Sequence, residues 1–239
     1  MIRLALALAL WLGMAGGAAA CEAVEHRGRA FTICTTDLAR QDVALRLAGP
    51  DGALLGDFAA LEAATGARIA FAMNAGMYHP DRRPVGYYVE DGVERAPLVT
   101  SAGPGNFGML PNGVFCVRDG RADVVEARAF AAAPRACAQA TQSGPMLVID
   151  GALHPRFLPA SPSLKRRNGV GATPDGRVVH FVISDEPVTF HEMATLFRDV
   201  LMVRDALYLD GTVSRLHAPG LGRSDPGRPM GPILVVTER

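Results

Sequence analysis

Five short segments of the sequence combine glycine with side chains that could hold or transform a ligand. Each brings an amide, a hydroxyl, a guanidinium or a carboxylate, at 74–78, 111–115, 141–145, 166–171 and 208–212. Glycine lets a ligand approach the backbone closely, and freed N–H groups bind anions. A single Asn-Gly or Asp-Gly pair is usually only a hairpin turn. Turns need neither Gln142 and Ser143 nor the pair Arg166 and Arg167, so together the segments predict a ligand site with donors suited to phosphate.

Signatures of several common enzyme classes are missing or incomplete. The glycines of 103–108 have the spacing of a dinucleotide fingerprint, but Pro104 interrupts it and no helix pattern follows. His191 and Glu192 begin like a zinc-protease helix, but Thr195 stands where the second histidine is needed. The sequence has no G-x-S-x-G and no P-loop, and its six histidines lack ligand spacing. We therefore predict no metal and no cofactor.

The overall composition excludes further classes. The 24 Lys+Arg residues balance 24 Asp+Glu, and 49% of the 239 residues are hydrophobic. Such a chain has neither the basic field of a nucleic-acid binder nor the polarity of a disordered protein. Lys165 is the only lysine, so Schiff-base chemistry has one candidate, whereas arginine is abundant for the recognition of anions.

The first twenty residues have the pattern of a secretory signal peptide. Arg3 precedes an apolar run over 4–14, and the small residues 15–20 lead to a cleavage site before Cys21. No later stretch is long and apolar enough to predict a membrane helix. We predict a signal peptide at 1–20 and one domain at 21–239, periplasmic or secreted. A lipid anchor on Cys21 is the alternative, although Ala18 stands where a lipoprotein signal usually has leucine.

All four cysteines lie after the predicted cleavage site, in a compartment where disulfides persist. Three pairings are open from the sequence alone. We favour Cys21–Cys34 with Cys116–Cys137. The sequence has no C-x-x-C, so a zinc site or a redox motif is a poor competitor.

Short β-prone segments separated by turns dominate the mature chain. They lie at 30–35, 43–47, 68–73, 85–90, 114–118, 146–149, 178–183, 206–209 and 233–237. Asp-Gly occurs six times, and 169–184 has the pattern of a hairpin around Asp175 and Gly176. The Gly/Pro-rich stretch 219–232 is expected to form an ordered surface loop or a flap.

One helix is clearly marked. Thr189 and Glu192 form a capping box, and apolar residues follow at helical spacing: Met193, Leu196, Phe197, Val200 and Leu201. A weaker helix is predicted at 57–65. Helices inserted among hairpins favour an α+β fold, with a single compact domain of mixed, largely antiparallel β-sheet and a few helices.

The polar segments, taken in order, resemble a known family. The motifs are MNAGMY at 73–78, SGP at 143–145 with IDG at 149–151, RNGVG at 167–171, EMA at 192–194, and ALYLDG at 206–211 with Ser214. Their order and spacing are similar to those of the bacterial phosphodiester glycosidases, relatives of N-acetylglucosamine-1-phosphodiester alpha-N-acetylglucosaminidase. Many relatives have a second glycine after Asp-Gly, whereas Thr212 follows here.

The resemblance implies an enzyme, a glycosidase that hydrolyses a sugar-1-phosphodiester to free sugar and a phosphomonoester. Cleavage gives the sugar oxocarbenium character, so a carboxylate is needed near the anomeric carbon. Asp210 is the first candidate, and Asp185 and Glu186 are the second. A departing phosphate needs little protonation, so a cation can stabilise it. Arg167 is the candidate for this role, helped by backbone N–H groups at 169–171.

The residues predicted to bind the substrate surround these groups. Asn74 and Asn112 are expected to orient sugar hydroxyls, and Tyr78 to stack on the ring. The full predicted set is Asn74, Gly76, Tyr78, Asn112, Ser143, Gly144, Arg167, Asn168, Gly169, Gly211 and Ser214. The expected partner is a sugar phosphodiester or an envelope glycan, with no nucleic acid; the sequence does not predict the oligomeric state.

Two other functions stay open at this point. The same fold could serve a non-catalytic binder of envelope glycans or phosphorylated sugars that keeps the anion pocket. Separately, Asp210 could be only a turn residue, and Arg167 could pair with a structural carboxylate. A phosphodiesterase that cuts the P–O bond is a third class, which ordinarily uses metal ligands. The enzyme and the binder differ at Asp210, because only the enzyme needs its carboxylate.

Overall fold

Antiparallel strands are the main secondary structure of the computed structural model, which describes residues 20–239. The predicted signal peptide therefore lies outside the described residues, apart from Ala20. The strands are β1 (Cys21–His26), β2 (Arg29–Asp37), β3 (Gln41–Arg46), β4 (Ile69–Asn74), β5 (Tyr88–Glu90), β6 (Val93–Ala96), β7 (Gly113–Arg118), β8 (Arg121–Glu126), β9 (Gln139–Ser143), β10 (Met146–Ile149), β11 (Ala152–Leu153), β12 (Asn168–Ala172), β13 (Val178–Ser184), β14 (Ala206–Asp210), β15 (Leu216–Ala218), β16 (Arg223–Ser224) and β17 (Ile233–Glu238).

These strands form three sheets. The first has seven strands in the order β1-β2-β13-β12-β14-β10-β11, the second has the order β16-β15-β4-β17-β3, and the third has the order β6-β5-β9-β7-β8. Every pairing within them is antiparallel. The predicted α+β class and single compact domain are confirmed.

The three sheets share one hydrophobic core. Phe181 of β13 lies 5.5 Å, between ring centroids, from Phe71 of β4 and 5.8 Å from Phe115 of β7. These three rings come from three different sheets, and all are fully buried. Burial of such apolar surface is the main favourable term in folding, so packing at Phe181 fixes how the sheets meet.

The strand predictions are largely confirmed, including the hairpin of β12 and β13. The missed strands include β9, whose sequence QATQS is polar although every residue in it is buried. Alternation of apolar and polar residues marks a strand with one wet face. Strand β9 lacks this alternation, because groups elsewhere in the protein form hydrogen bonds with its buried polar side chains. A local sequence pattern does not reveal such distant partners.

The helices are α1 (Phe58–Ala64), α2 (Ala127–Ala132) and α3 (Phe190–Thr195). Helix α1 confirms the weaker prediction and is capped by Asp57, which accepts a hydrogen bond from the N–H of Ala60 at 2.8 Å. Helix α2 was missed. Among residues 20–239, no helix is both long enough and apolar enough to cross a membrane.

Helix α3 begins as predicted but ends differently. The Thr189–Glu192 capping box is present, and the helix continues into a π-helical turn at Leu196–Val200. The wider turn adds a residue and shifts the later positions. Phe197, near the start of the turn, is fully buried, as the spacing predicts. Val200, at its end, is 46% exposed, so its predicted position in the core is wrong.

Both favoured disulfides, Cys21–Cys34 and Cys116–Cys137, are present. The first joins opposite residues of β1 and β2, and the second joins β7 to the segment before β9. With its sulfur in a disulfide, Cys21 has no thiol available for the alternative lipid anchor.

The π-helical turn leads to a stability prediction. Replacing the buried Phe197 with Ala should lower the free energy of unfolding by roughly 3–5 kcal/mol, because it leaves a cavity under the turn. Replacing Val200 with Ala should change it by less than about 1 kcal/mol, because that side chain is largely in water. Urea unfolding of the two variants measures the difference, and equal losses would contradict the turn as described.

Candidate active site

The side-chain amide of Asn168 is the polar centre of the candidate site. Asn168 begins β12 and is fully buried. Its Oδ1 accepts hydrogen bonds from Asn74 Nδ2 at 3.1 Å and from the N–H of Asp210 at 2.9 Å. Its Nδ2 donates to the carbonyl of Asn74 at 2.9 Å, and Ser214 Oγ donates to the same Oδ1 at 3.3 Å. One amide therefore joins the ends of β4, β12 and β14, which belong to two sheets.

An irregularity in the pairing of β12 with β14 places Asp210 at this junction. Asn168 is opposite Asp210, whereas Gly169 is opposite Tyr208, so Leu209 is an extra residue on β14. Such bulges re-aim side chains and are frequent beside active sites. Leu209 is fully buried and Asp210 is partly buried. The carboxylate thus lies where the core meets the surface.

The Asp210 carboxyl has a pKa well above that of an ordinary aspartate. Burial raises its pKa to about 6, and the N–H of Gly211, which donates to Oδ1 at 2.5 Å, opposes this shift. Among the described residues, no arginine, lysine or histidine forms an ion pair with it. A carboxyl group with this pKa changes charge near neutral pH, which suits a group that must lose and regain a proton.

Arg167 is a buried arginine without a carboxylate partner among residues 20–239, and only 1% of it is exposed. Its Nε donates to the carbonyl of Val188 and its Nη2 to the carbonyl of Ser163, both at 2.9 Å, whereas Nη1 has no hydrogen-bond partner. The guanidinium carbon lies 3.7 Å from the centroid of the Phe190 ring and 5.6 Å from that of the Tyr208 ring. Burial lowers the pKa of Arg167. An anion placed nearby would offset this unfavourable burial of charge.

Tyr208 lies near both Arg167 and Asp210. Its hydroxyl is beside the side chains of Arg167 and Asn106, and burial together with the Asp210 carboxylate raises its pKa. A methyl group added at Gly211 would collide with this hydroxyl. The glycine after Asp210 is therefore needed so that Tyr208 can occupy this position.

The third sheet reaches the site through β9. Ser143 Oγ donates to the carbonyl of Leu209 at 2.6 Å, and Thr141 Oγ1 accepts from the N–H of Gly76 at 3.2 Å. A methyl group at Gly76 would lie 2.5 Å from the carbonyl oxygen of Gln142. Glycine at this position therefore lets the chain after β4 pass close to β9, and these buried groups fix the relative positions of the sheets.

Asn112 and Gly144 pack against the glycine-rich loop 101–109. Asn112 Nδ2 donates to the carbonyl of Phe107 at 3.2 Å, and a methyl group at Gly144 would lie 2.6 Å from Asn112 Cβ. The same loop carries Asn106 to the Tyr208 hydroxyl. The segment that mimics a dinucleotide fingerprint is thus a loop beside the candidate site.

The second-choice carboxylates, Asp185 and Glu186, are engaged in ion pairs. Asp185 accepts a hydrogen bond from Arg223 Nη1 at 2.6 Å, and Glu186 lies 3.4 Å from Arg29 Nη1. Each carboxylate therefore already neutralises an arginine. Of the three candidate carboxylates, Asp210 is the one that forms no ion pair among the described residues.

Gly169 and Gly171 lie inside β12, with β13 on one side and β14 on the other. A methyl group at Gly169 would lie 2.8 Å from the carbonyl of Leu207 and 3.2 Å from the Phe197 ring. A methyl group at Gly171 would lie 3.0 Å from Val203. The absence of side chains at these two glycines therefore lets the π-helical turn pack closely on the sheet.

Arg215 is a site residue that the sequence analysis missed. Its backbone N–H donates to Asn74 Oδ1 at 3.0 Å, and only 5% of the residue is exposed. Its Nη2 donates to the carbonyl of Gly56 at 3.4 Å, and its Nε has no partner. Arg215 and Asp210 both lie near Tyr78, whose pKa is raised by burial and by the Asp210 carboxylate. In the sequence only its position after Ser214 distinguishes Arg215 from many other arginines.

Comparison with known proteins identifies the family. The family model "Phosphodiester glycosidase" matches residues 67–237, which contain the whole Asn74, Asn168 and Asp210 junction. The chain belongs to the phosphodiester glycosidase family. Among curated proteins, the uncharacterized protein YigE of Escherichia coli strain K12 is 37% identical over 153 residues. That alignment covers 64% of this chain and 59% of YigE, so it spans less than two thirds of the relative.

Solved structures share the fold at low sequence identity. The zebrafish N-acetylglucosamine-1-phosphodiester alpha-N-acetylglucosaminidase catalytic domain, auto-inhibited by its pro-peptide, matches with a TM-score of 0.60 and 14% identity, over 92% of this chain and 82% of that one. A putative exported protein of Burkholderia pseudomallei matches with a TM-score of 0.58 and 13% identity, over 87% of this chain and 74% of that one. At these identities the likeness establishes the fold alone.

The raised pKa of Asp210 predicts a pH-dependent cost in stability. The carboxyl titrates near pH 4 in the unfolded chain and near pH 6 in the folded protein, so the folded state loses stability as the pH rises through this interval. Asp210→Asn lacks this cost. The free energy of unfolding of the variant, relative to that of wild type, should therefore increase by up to about 3 kcal/mol between pH 4 and pH 7. Urea unfolding at both pH values measures this gain, and a constant difference would contradict the assigned pKa.

Proposed function

We propose that this chain is an extracytoplasmic glycosidase that hydrolyses a sugar-1-phosphodiester to free sugar and a phosphomonoester. The observation that carries the proposal is that an unpaired carboxyl and an unpaired guanidinium lie near the same tyrosine, Tyr208. The carboxyl is that of Asp210, whose pKa is raised, and the guanidinium is that of the buried Arg167. Cleavage of a bond between an anomeric carbon and a phosphate needs one group of each kind.

Asp210 acts on the anomeric carbon in this proposal. As the carboxylate it either accepts a proton from the attacking water or attacks the carbon itself, and in both cases it faces the positive charge that develops on the sugar. The bulge at Leu209 and the hydrogen bond from the Asp210 N–H to Asn168 hold its backbone in place. Such fixed positioning lowers the entropy cost of reaching the transition state.

Arg167 stabilises the phosphate as it leaves. The phosphate gains negative charge when the C–O bond breaks, and a fixed cation in surroundings of low dielectric favours that charge. The Tyr208 hydroxyl is near both Arg167 and Asp210, and in this proposal it donates a hydrogen bond to the phosphate. Two fixed carbonyls and the Phe190 ring hold the guanidinium.

Asn74 has a positioning role in this proposal instead of binding sugar hydroxyls directly. Its Nδ2 donates to Asn168 and its Oδ1 accepts from the N–H of Arg215, so both ends of its amide are used within the protein. Tyr78 is partly exposed and lies near Asp210. It remains the proposed surface on which the sugar ring stacks.

The extracytoplasmic location rests on two features of this chain. Two disulfides are typical of proteins in oxidising compartments. The pattern at 1–20 predicts a secretory signal peptide. The related Burkholderia chain is described as a putative exported protein, which is consistent with this proposal.

The test is turnover of a panel of sugar-1-phosphodiesters by the purified chain, followed by release of sugar and phosphomonoester. Hydrolysis in ¹⁸O-labelled water identifies the bond that breaks. Cleavage at carbon leaves the phosphomonoester unlabelled, whereas cleavage at phosphorus labels it. Binding of sugar phosphates without turnover would support the non-catalytic binder instead.

The Asp210→Asn variant should lose roughly 10²–10⁴-fold in kcat/KM, because it removes the acid–base or nucleophilic group. For wild type, kcat/KM should rise with pH as Asp210 loses its proton near pH 6. Asp185→Asn and Glu186→Gln are the matched controls, since each removes a carboxylate that is ion-paired with arginine. If one control variant loses all activity while Asp210→Asn stays active, the catalytic role belongs to the carboxylate removed in that control.

A further inference from the structure

Two buried arginines of the site, Arg167 and Arg215, form no ion pair with a carboxylate among residues 20–239, whereas a third arginine, Arg223, forms two. Arg223 is also mostly buried, and it pairs with Asp185 at 2.6 Å and with Asp225 at 2.9 Å. Among residues 20–239, neither Arg167 nor Arg215 forms any ion pair, and each has a guanidinium nitrogen with no hydrogen-bond partner. Burial of an unpaired charge is costly. Two such charges in one site therefore indicate two places for anionic groups of a ligand.

The two arginines neighbour different tyrosines. Arg167 is beside Tyr208, with its guanidinium carbon 5.6 Å from the centroid of that ring. Arg215 is tied to the other sheet by its N–H bond to Asn74 Oδ1, and its side chain lies near Tyr78. Each tyrosine is also near Asp210. Each arginine is thus beside a tyrosine that neighbours the proposed catalytic carboxylate.

The surroundings of Arg215 belong to the site as well. Its Nη2 donates to the carbonyl of Gly56, which also accepts from the N–H of Met230 at 2.7 Å. Tyr78 donates to the neighbouring carbonyl of Pro229 at 3.4 Å. Arg215 and Tyr78 therefore pack on the same loop, which lies between β16 and β17. This loop belongs to the Gly/Pro-rich stretch for which the sequence predicted an ordered loop or flap.

We propose that Arg215 recognises a second anionic group, carried by the sugar, so that the substrate class is a 1-phosphodiester of an acidic sugar such as a uronic acid. The inference rests on the proposed function, in which Arg167 and Tyr208 hold the scissile phosphate. The sugar then lies towards Tyr78, which is its proposed stacking surface and has Arg215 nearby. A carboxylate fits the planar guanidinium through paired N–H donors.

The first experiment compares methyl phosphodiesters of glucuronic acid and of glucose, which share the leaving group and differ in the sugar carboxylate. Wild type should turn over the acidic diester about 10- to 100-fold better in kcat/KM, the range expected for a charge-assisted hydrogen-bonded pair. Arg215→Gln should reduce this ratio to near 1. Arg228→Gln is the matched control, because it removes an exposed arginine of the same loop, and it should keep the wild-type ratio.

With these two substrates, three results would overturn the inference: a wild-type ratio of 1 or below, an Arg215→Gln ratio equal to that of wild type, or equal losses in Arg215→Gln and Arg228→Gln. If Arg215→Gln does not fold, Arg215→Lys replaces it. Lysine keeps the charge but not the paired donors, so the ratio should fall several-fold.

A second pair of substrates, glucose linked through one phosphate or through two, tests the other source of negative charge. If Arg215→Gln changes the ratio for this pair instead, the second anion belongs to the leaving group and the inference is wrong.

A binding measurement separates this inference from the proposed function. Calorimetry compares glucuronic acid 1-phosphate with glucose 1-phosphate and needs no turnover. If wild type hydrolyses no diester yet binds the acidic sugar phosphate at least 10-fold more tightly, and Arg215→Gln loses this preference, the proposed reaction fails but Arg215 keeps its role. If wild type hydrolyses neutral diesters and binds both sugar phosphates equally, the proposed function stands and the inference about Arg215 fails.

Discussion

The buried amide of Asn168 is the interaction on which the rest of the site depends. It bonds to both the side chain and the backbone of Asn74, and it accepts from the N–H of Asp210 and the hydroxyl of Ser214. These contacts join two sheets that also meet through apolar packing around Phe181 and through the hydrogen bond from Arg223 of β16 to Thr32 of β2. In the low dielectric of the core each unmade hydrogen bond would be costly, so the network is satisfied only when β4, β12 and β14 end at the same place. A fixed position for Asp210 follows from that requirement.

Electrostatics gives this junction its chemical character. The protein neutralises Arg223 with two carboxylates, and Asp185 and Glu186 are each taken up by an arginine. Asp210 and the two buried arginines form no ion pair among the described residues, and burial raises the pKa of the carboxyl. Strongly perturbed titratable groups of this kind cluster at functional sites. The proposed hydrolysis uses a carboxylate at the sugar and a cation at the phosphate.

Several parts of the structure could be predicted from local patterns. The capping box at Thr189, the hairpin at Asp175 and the α+β class all follow from short-range backbone preferences, and the structure contains them. The errors occur where tertiary packing overrides a local rule. Val200 is exposed because a π-helical turn changes the period, and polar β9 is buried because its partners lie on other sheets. Gly169 likewise serves the packing of Phe197, which no turn rule indicates.

The sequence by itself determined which chemical groups are available and which family contains them, since glycine, amide, arginine and aspartate in a fixed order are properties of the chain. It ranked Asp210 ahead of Asp185 and Glu186 and selected Arg167, but it did not single out Arg215. Only the tertiary structure decided which charges are paired, because an ion pair such as Asp185 with Arg223 joins residues 38 positions apart. The bulge at Leu209 and the meeting of two sheets at Asn168 also depend on long-range contacts. The reactivity of a charged group is set by its neighbours in space, and chain order does not contain that information.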